Sequence, residues 1–133
     1  MNSFKLEILT PQKQFFSGEA ESVVFTLSDG EMCVMYGHPP LLAALEIGHI
    51  KIRMGDEYKI AFASEGFIEV RPDKVLIFTQ LCEWPDEIDE HRAEEEKARA
   101  LEELRQKQSL IEYNQTKIML SRAMARLNVK KNG

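Results

Sequence analysis

The sequence predicts an α+β protein, with an antiparallel β-sandwich or barrel over residues 1–85 and an antiparallel two-helix hairpin over residues 86–133. Three observations predict it. Before Pro85, apolar residues recur at period two between turn residues, with no helical stretch among them. After Pro85 the period becomes helical. The helical part also divides by charge. Residues 86–105 hold nine acids against four bases, and residues 106–133 hold one acid against six bases. A short connection makes these two helices antiparallel neighbours, and opposite charge favours their pairing, modestly once salt screens it.

The strands follow from alternation and turns. "FKLEIL" places Phe4, Leu6 and Ile8 on one face, with Lys5 and Glu7 on the other. "HIKIRMGDEYKIAF" is a hairpin turning at Gly55-Asp56, where glycine supplies a positive φ. "GFIEVRPDKVLIF" repeats the pattern with its bend at Arg71-Pro72-Asp73.

For the helices, Asp86 is the expected N-cap, with Asp89 reaching back from the third position. Glu95 to Arg99 and Glu103 to Lys107 are expected i,i+4 pairs. The stretch "QKQS" breaks the helix, and Ser109 caps a second one over about Leu110 to Leu127. The seam offered by Ala93, Ala100, Leu101 and Leu104 is thin, because alanines bury little area. A coiled-coil dimer is the plainer alternative, but it needs heptads that this stretch lacks. The hairpin is therefore marginal, and a marginal element can switch.

Composition excludes several functions. Apolar residues make up 44% and charged residues 29%, ordinary for a globular chain. No apolar run approaches the roughly 20 residues that span a bilayer, and "MNSFKLEILTPQ" is neither signal nor transit peptide, so a cytoplasmic location is expected. The net charge of −5 argues against nucleic acid. Cys33 and Cys82 are expected to be reduced core thiols. Neither they nor His38, His49 and His91 have the spacing of a metal site.

"SDGEMCVMYGHPPLLAALEIGHIKI", followed by an acidic helix, resembles the epsilon subunit of F-type ATP synthase. Family members usually read G-D-G-E-x-G-V-L-P-G-H-x-P here. Asp29, Gly30, Glu31, Val34, Gly37, His38 and the prolines from Pro39 agree with that pattern. "GFIEVRPDKVLIFT" is similar to the family's last sandwich hairpin, and the likeness runs from about Phe4 to Leu127. Ser28 and Cys33 stand where the family carries glycine, and Met35-Tyr36 where it carries Leu-Pro. Cysteine tolerates a positive φ poorly, so a local difference in backbone is expected at Cys33. The resemblance implies a ten-stranded sandwich that grips the gamma subunit and rests on the c-ring, with Glu31 and His38 in the contacting loop. It also implies a hairpin that opens toward the alpha and beta subunits and restrains ATP hydrolysis. The chain would then lie on the cytoplasmic side of the cell membrane, held there only through the complex.

Within "DEIDEHRAEEEKARALEELR", Arg92 and Arg99 lie about 60° and 80° from Asp89 around the helix, so they share a face. Arg122 and Arg126 share a face of the second helix. A turn centred near residue 107 sets Arg92 level with Arg122 and Asp89 level with Arg126. By spacing alone, a solvated salt-bridge network accounts for these residues. "IDEHRA" also matches the I/L-D-x-x-R-A motif of family members whose hairpin binds ATP. The resemblance therefore implies a site of Glu83, Ile88, Asp89, Arg92, Ala93, Arg99, Arg122 and Arg126. Arginine forks suit phosphate oxygens, while Asp89 and Glu83 suit the adenine amino group or a ribose hydroxyl. ATP is expected as a regulatory ligand, with Mg2+ left open. No catalytic residues are expected, since the chain has no G-x-x-x-x-G-K-[ST] loop. The rival readings are a nucleotidase and a free-standing adaptor that pairs through its helices.

Overall fold

The computed structural model describes residues 2–106 and 108–133. Ten strands form two five-stranded sheets packed face to face, and two helices follow. The first sheet has the order β2-β1-β9-β8-β5, built from β1 (Phe4–Leu9), β2 (Gln14–Ala20), β5 (Leu41–Leu45), β8 (Gly66–Val70) and β9 (Lys74–Thr79). The second has the order β10-β7-β6-β3-β4, from β3 (Ser22–Leu27), β4 (Gly30–Met35), β6 (Gly48–Met54), β7 (Glu57–Ala63) and β10 (Cys82–Glu83). The architecture is the predicted sandwich plus hairpin.

Alternation explains the core. Leu6, Ile8, Val23, Phe25, Ile50, Ile52, Ile68 and Ile77 are wholly or almost wholly buried, each separated from the next inward residue on its strand by one that faces out. Gly55 turns β6 into β7 at φ +64, as the sequence predicts. One pairing is parallel, between β1 and β9, with Leu6 opposite Val75 and Ile8 opposite Ile77. The chain visits the other sheet between these two strands, which supplies the long crossover that a parallel pair requires. Cys33 lies within β4, paired with Val24, and among the described residues no non-glycine residue has a positive φ. Cys33 therefore adopts no strained backbone, and Gly30–Met35, within the stretch read as a loop, is a regular edge strand.

Both thiols are free. Cys82 is buried as predicted, whereas Cys33 is exposed. Burial pushes the Cys82 thiol up to about 12, with Glu83 and Glu87 adding to the effect, so it is inert near neutrality.

A buried hydroxyl knot joins the corner between β7 and β8 to the exit from β9. Leu81 N donates to Ser64 Oγ at 2.8 Å, and Thr79 Oγ1 donates to the Leu81 carbonyl at 2.8 Å. Its consequence is positional. It fixes the segments that carry Glu65 and Glu83, both on the side where the helices dock.

The chain leaves the sandwich at Trp84, whose ring stacks on Phe15 with centroids 4.4 Å apart. A single 3-10 turn, Pro85–Glu87, comes next. Helix α1 (Glu90–Leu104) then begins at Asp89, whose carboxylate accepts from Arg92 N at 3.1 Å. The N-cap is therefore Asp89 and not Asp86, because Pro85 starts a 3-10 turn that ends before the α-helix begins. Helix α2 (Leu110–Asn132) is capped by Ser109 as predicted and runs five residues beyond Leu127. Lys107, the expected partner of Glu103, lies outside the described residues.

Gly66 opens β8 directly against β9. An added Cβ there would meet the Phe78 carbonyl oxygen at 1.8 Å, a backbone obstacle that no rotamer change relieves. Gly66→Ala is expected to lower the stability of the sandwich by about 2–3 kcal/mol, measured as a fall in the urea midpoint at unchanged m-value. A midpoint within error of the parent would contradict the packing described.

Candidate functional site

The hairpin is held by small residues and by arginines. Ala93 and Ala100 on α1 and Ala123 on α2 are buried, and they let the helices approach closely while contributing little apolar area. Leu101, expected in the seam, is 42% exposed. Against the sandwich, Ile88 and Val129 pack on Phe62, which points outward from the second sheet.

The predicted arginines of this hairpin engage carboxylates, with one exception. Arg126, on α2, has Nε 2.7 Å from Glu83 of β10 and Nη1 3.7 Å from Glu96 of α1, and its guanidinium lies 4.6 Å from the Phe62 ring centroid. Arg92 Nε donates to the other oxygen of Glu96 at 3.0 Å. Arg122, one turn from Arg126, is ion-paired with Glu65 at the β7–β8 corner, and its buried Nε has no hydrogen-bond partner among the described residues. Arg99 is the exception: its Nη2 lies 3.5 Å from Met119 Sδ, while Glu95 pairs with His91 instead of Arg99.

The structure therefore brings together Glu83, Arg92 and Arg126, with Arg122 on the neighbouring turn. Asp89 is spent on the cap, and Ile88 and Ala93 are buried structural residues beside the cluster. Arg99 stands two turns from Arg92 on α1. The register also differs from the one the sequence suggests. Thr116 meets Glu103, Met119 meets Arg99 and Arg126 meets Glu96, so the fold-back point lies nearer Ser109 than residue 107. Arg126, not Arg122, thereby faces the Arg92 turn. Sequence reading missed Glu65 and Glu96. Glu96 sits at i,i+4 from Arg92 and could have been found as its helical partner; Glu65 had no such signal.

Glu31 and His38 do not share a loop. Strand β4 separates them, and Glu31 to Met35 alone spans about 13 Å. The Glu31 carboxylate pairs with His49 Nε2 at 2.6 Å, while His38 Nδ1 donates to the Pro39 carbonyl at 2.6 Å in the segment that crosses to the other sheet. A groove of about 930 Å3 runs from Glu31 and His49 to the C-terminal end of α2, past Lys51, Tyr58, Lys59 and Trp84. Its aromatic faces are covered by ammonium groups, with Lys51 4.9 Å from the Tyr58 ring and Lys59 5.1 Å from that of Trp84.

Two family models match the chain. Residues 3–85 match the beta-sandwich domain of the ATP synthase delta/epsilon chain, and residues 86–131 match its long alpha-helix domain. The chain is 48% identical over 128 residues to the ATP synthase epsilon chain of Ruminiclostridium cellulolyticum, covering 96% of each. It is 41% identical to that of Caldanaerobacter subterraneus, covering 96% of this chain and 93% of the other. In fold it is similar to a chain of the Euglena gracilis mitochondrial ATP synthase, with a TM-score of 0.82 at 20% identity, covering 92% of this chain and 78% of that one.

The partly buried Arg126–Glu83 pair is one of the contacts that dock α2 on the sandwich. A double-mutant cycle of Arg126→Ala and Glu83→Ala is expected to give a coupling of about 1–2 kcal/mol, read from native-state hydrogen exchange of the α2 amides. A coupling near zero would mean that the pair is incidental.

Proposed function

The chain belongs to the delta/epsilon-chain family of ATP synthases, and we propose that it is a non-catalytic regulatory subunit of the central stalk whose hairpin binds ATP in its folded form. The observation that carries this reading is the convergence of Arg92 and Arg126, from two different helices, on the single carboxylate of Glu96. A group that gathers cations from both rods holds the rods together. A polyphosphate with several anionic oxygens satisfies the same arrangement, and guanidinium forks suit it. Arg122, on the neighbouring turn, would extend the contact, and Glu83, which accepts from Arg126 Nε at 2.7 Å, would also accept from an amino or hydroxyl group of the ligand.

Two features support a hairpin that opens. Its seam is built on alanines, so little apolar burial opposes separation. Helix α2 also carries Leu110, Ile111, Ile118 and Met124 at 44–75% exposure, side chains that gain burial only against another surface. In the proposed mechanism the sandwich grips the gamma subunit and the c-ring, with Glu31 and His38 among the contacts. The opened helices reach the alpha and beta subunits and restrain hydrolysis. ATP stabilises the folded form by as much as it prefers that form over the open one. The chain does no chemistry on the nucleotide. None of its described helices is long and apolar enough to cross a membrane, and the proposal places it at the cytoplasmic face of the membrane through its partners alone.

Calorimetric titration with ATP tests the binding site. Saturable binding is expected, weakened about tenfold or more by Arg92→Ala or Arg126→Ala, the loss of a charge-assisted contact; equal curves for parent and variants would remove the site. The brake is tested separately, in an assembled complex lacking residues 87–133. Hydrolysis at low ATP should rise, and an unchanged rate would rule the brake out.

A further inference from the structure

The guanidiniums assigned to the phosphates already carry carboxylates. Glu96 Oε1 lies 3.0 Å from Arg92 Nε, and its Oε2 lies 3.7 Å from Arg126 Nη1. The Glu96 side chain is only 18% exposed, as is that of Arg126, so water screens this contact less than it screens the other pairs along α1. One carboxylate thus spans the two helices at the point where a phosphate group would have to do so. A phosphate reaching the same two forks must displace Glu96 or remain within a few ångströms of a like charge.

We infer that Glu96 is a built-in competitor of the ligand's phosphates and sets the affinity of the hairpin for a polyphosphate. The inference rests on the nucleotide reading of the site and names the residue that tunes it. Glu96 plays two opposed parts. Without a polyphosphate on the site it bridges Arg92 and Arg126 and keeps the helices paired. When a polyphosphate arrives, its release from those forks is a cost subtracted from binding, so the site fills only at high ligand concentration. Glu65 does the same for Arg122, but it also anchors α2 to the sandwich, so its removal would mix two effects. Glu96 joins only the two helices, and its amide isostere keeps a carbonyl oxygen for the guanidiniums while removing the charge.

The full-length chain is titrated calorimetrically with ATP and, in parallel, with inorganic tripolyphosphate, which carries the phosphate charge without the base. Glu96→Gln is expected to bind both about threefold to tenfold more tightly than the parent. Glu96→Asp, which retracts the carboxylate by one methylene, should fall between them. Glu95→Gln makes the same change in net charge on the same helix, at a 65% exposed side chain paired with His91, and should leave both affinities as they are. Equal or weaker binding by Glu96→Gln, with the parent still binding, overturns the role of Glu96 and leaves the ATP site standing. An equal gain from Glu95→Gln also overturns it, because bulk charge would then be the cause. Absence of binding in parent and variants alike overturns this inference together with the site.

Discussion

Arg126, on the second helix, ties that helix both to the sandwich and to the first helix. Its Nε meets Glu83 of the sandwich, its Nη1 meets Glu96 of the first helix, and its guanidinium covers Phe62 of the second sheet. A cation over an aromatic face contributes about 0.5–2 kcal/mol depending on desolvation, comparable with what a seam of alanines supplies. The position of the hairpin therefore depends on polar contacts as well as on the apolar cluster of Ile88, Val129 and Phe62. Such contacts can be exchanged for others of the same chemistry, whereas a buried apolar seam cannot. On the proposed reading, an ionic latch on a thin seam would let an anion act as a structural ligand.

The sandwich side of the latch is held by a buried hydrogen-bond knot. Glu65 and Glu83 flank the knot in which Ser64, Thr79 and Leu81 satisfy one another's hydrogen bonds inside the protein. Buried polar groups that are fully paired hold their geometry, since breaking one leaves its partner unsatisfied. Trp84, stacked on Phe15, fixes the last residue before the 3-10 turn. If the helices opened as proposed, the few residues from Pro85 to Asp89 would absorb the change of direction. No core strand needs to be disturbed. Opening would cost the Arg126 and Arg122 contacts, the Lys130 contact to the Pro85 carbonyl and the burial of Ile88 and Val129 on Phe62.

Much of this was legible in the sequence, for identifiable reasons. Strands buried on one face write their pattern at period two, and the Gly55 turn and Ser109 cap are local signals that tertiary packing had no cause to override. The parallel β1–β9 pair was not legible, because pairing between distant strands leaves no trace in either strand's alternation. The start of α1 was misplaced because Asp86 and Asp89 are both competent caps. The choice was made by Pro85, which directs the chain into a 3-10 turn first. In the site, residue types and faces were readable while register was not. A slip of about one turn exchanged Arg122 for Arg126 opposite Arg92, and it left Glu65 unseen until the β7–β8 corner was placed beside α2.

The pairing of cations with internal carboxylates separates two properties that a sensor must have. A hairpin whose arginines repelled one another freely would bind a polyphosphate tightly, yet would hold together poorly without it. A hairpin whose arginines were fully neutralised by rigid acids would be stable and indifferent to the ligand. Here the neutralising acids are of two kinds. Glu83 and Glu65 belong to the sandwich and tie α2 to it, while Glu96 belongs to α1 and joins only the two helices. Under the proposed function, a carboxylate on α1 that gives way to the ligand would keep the difference between the two forms within the few kcal/mol over which a small molecule can shift a population.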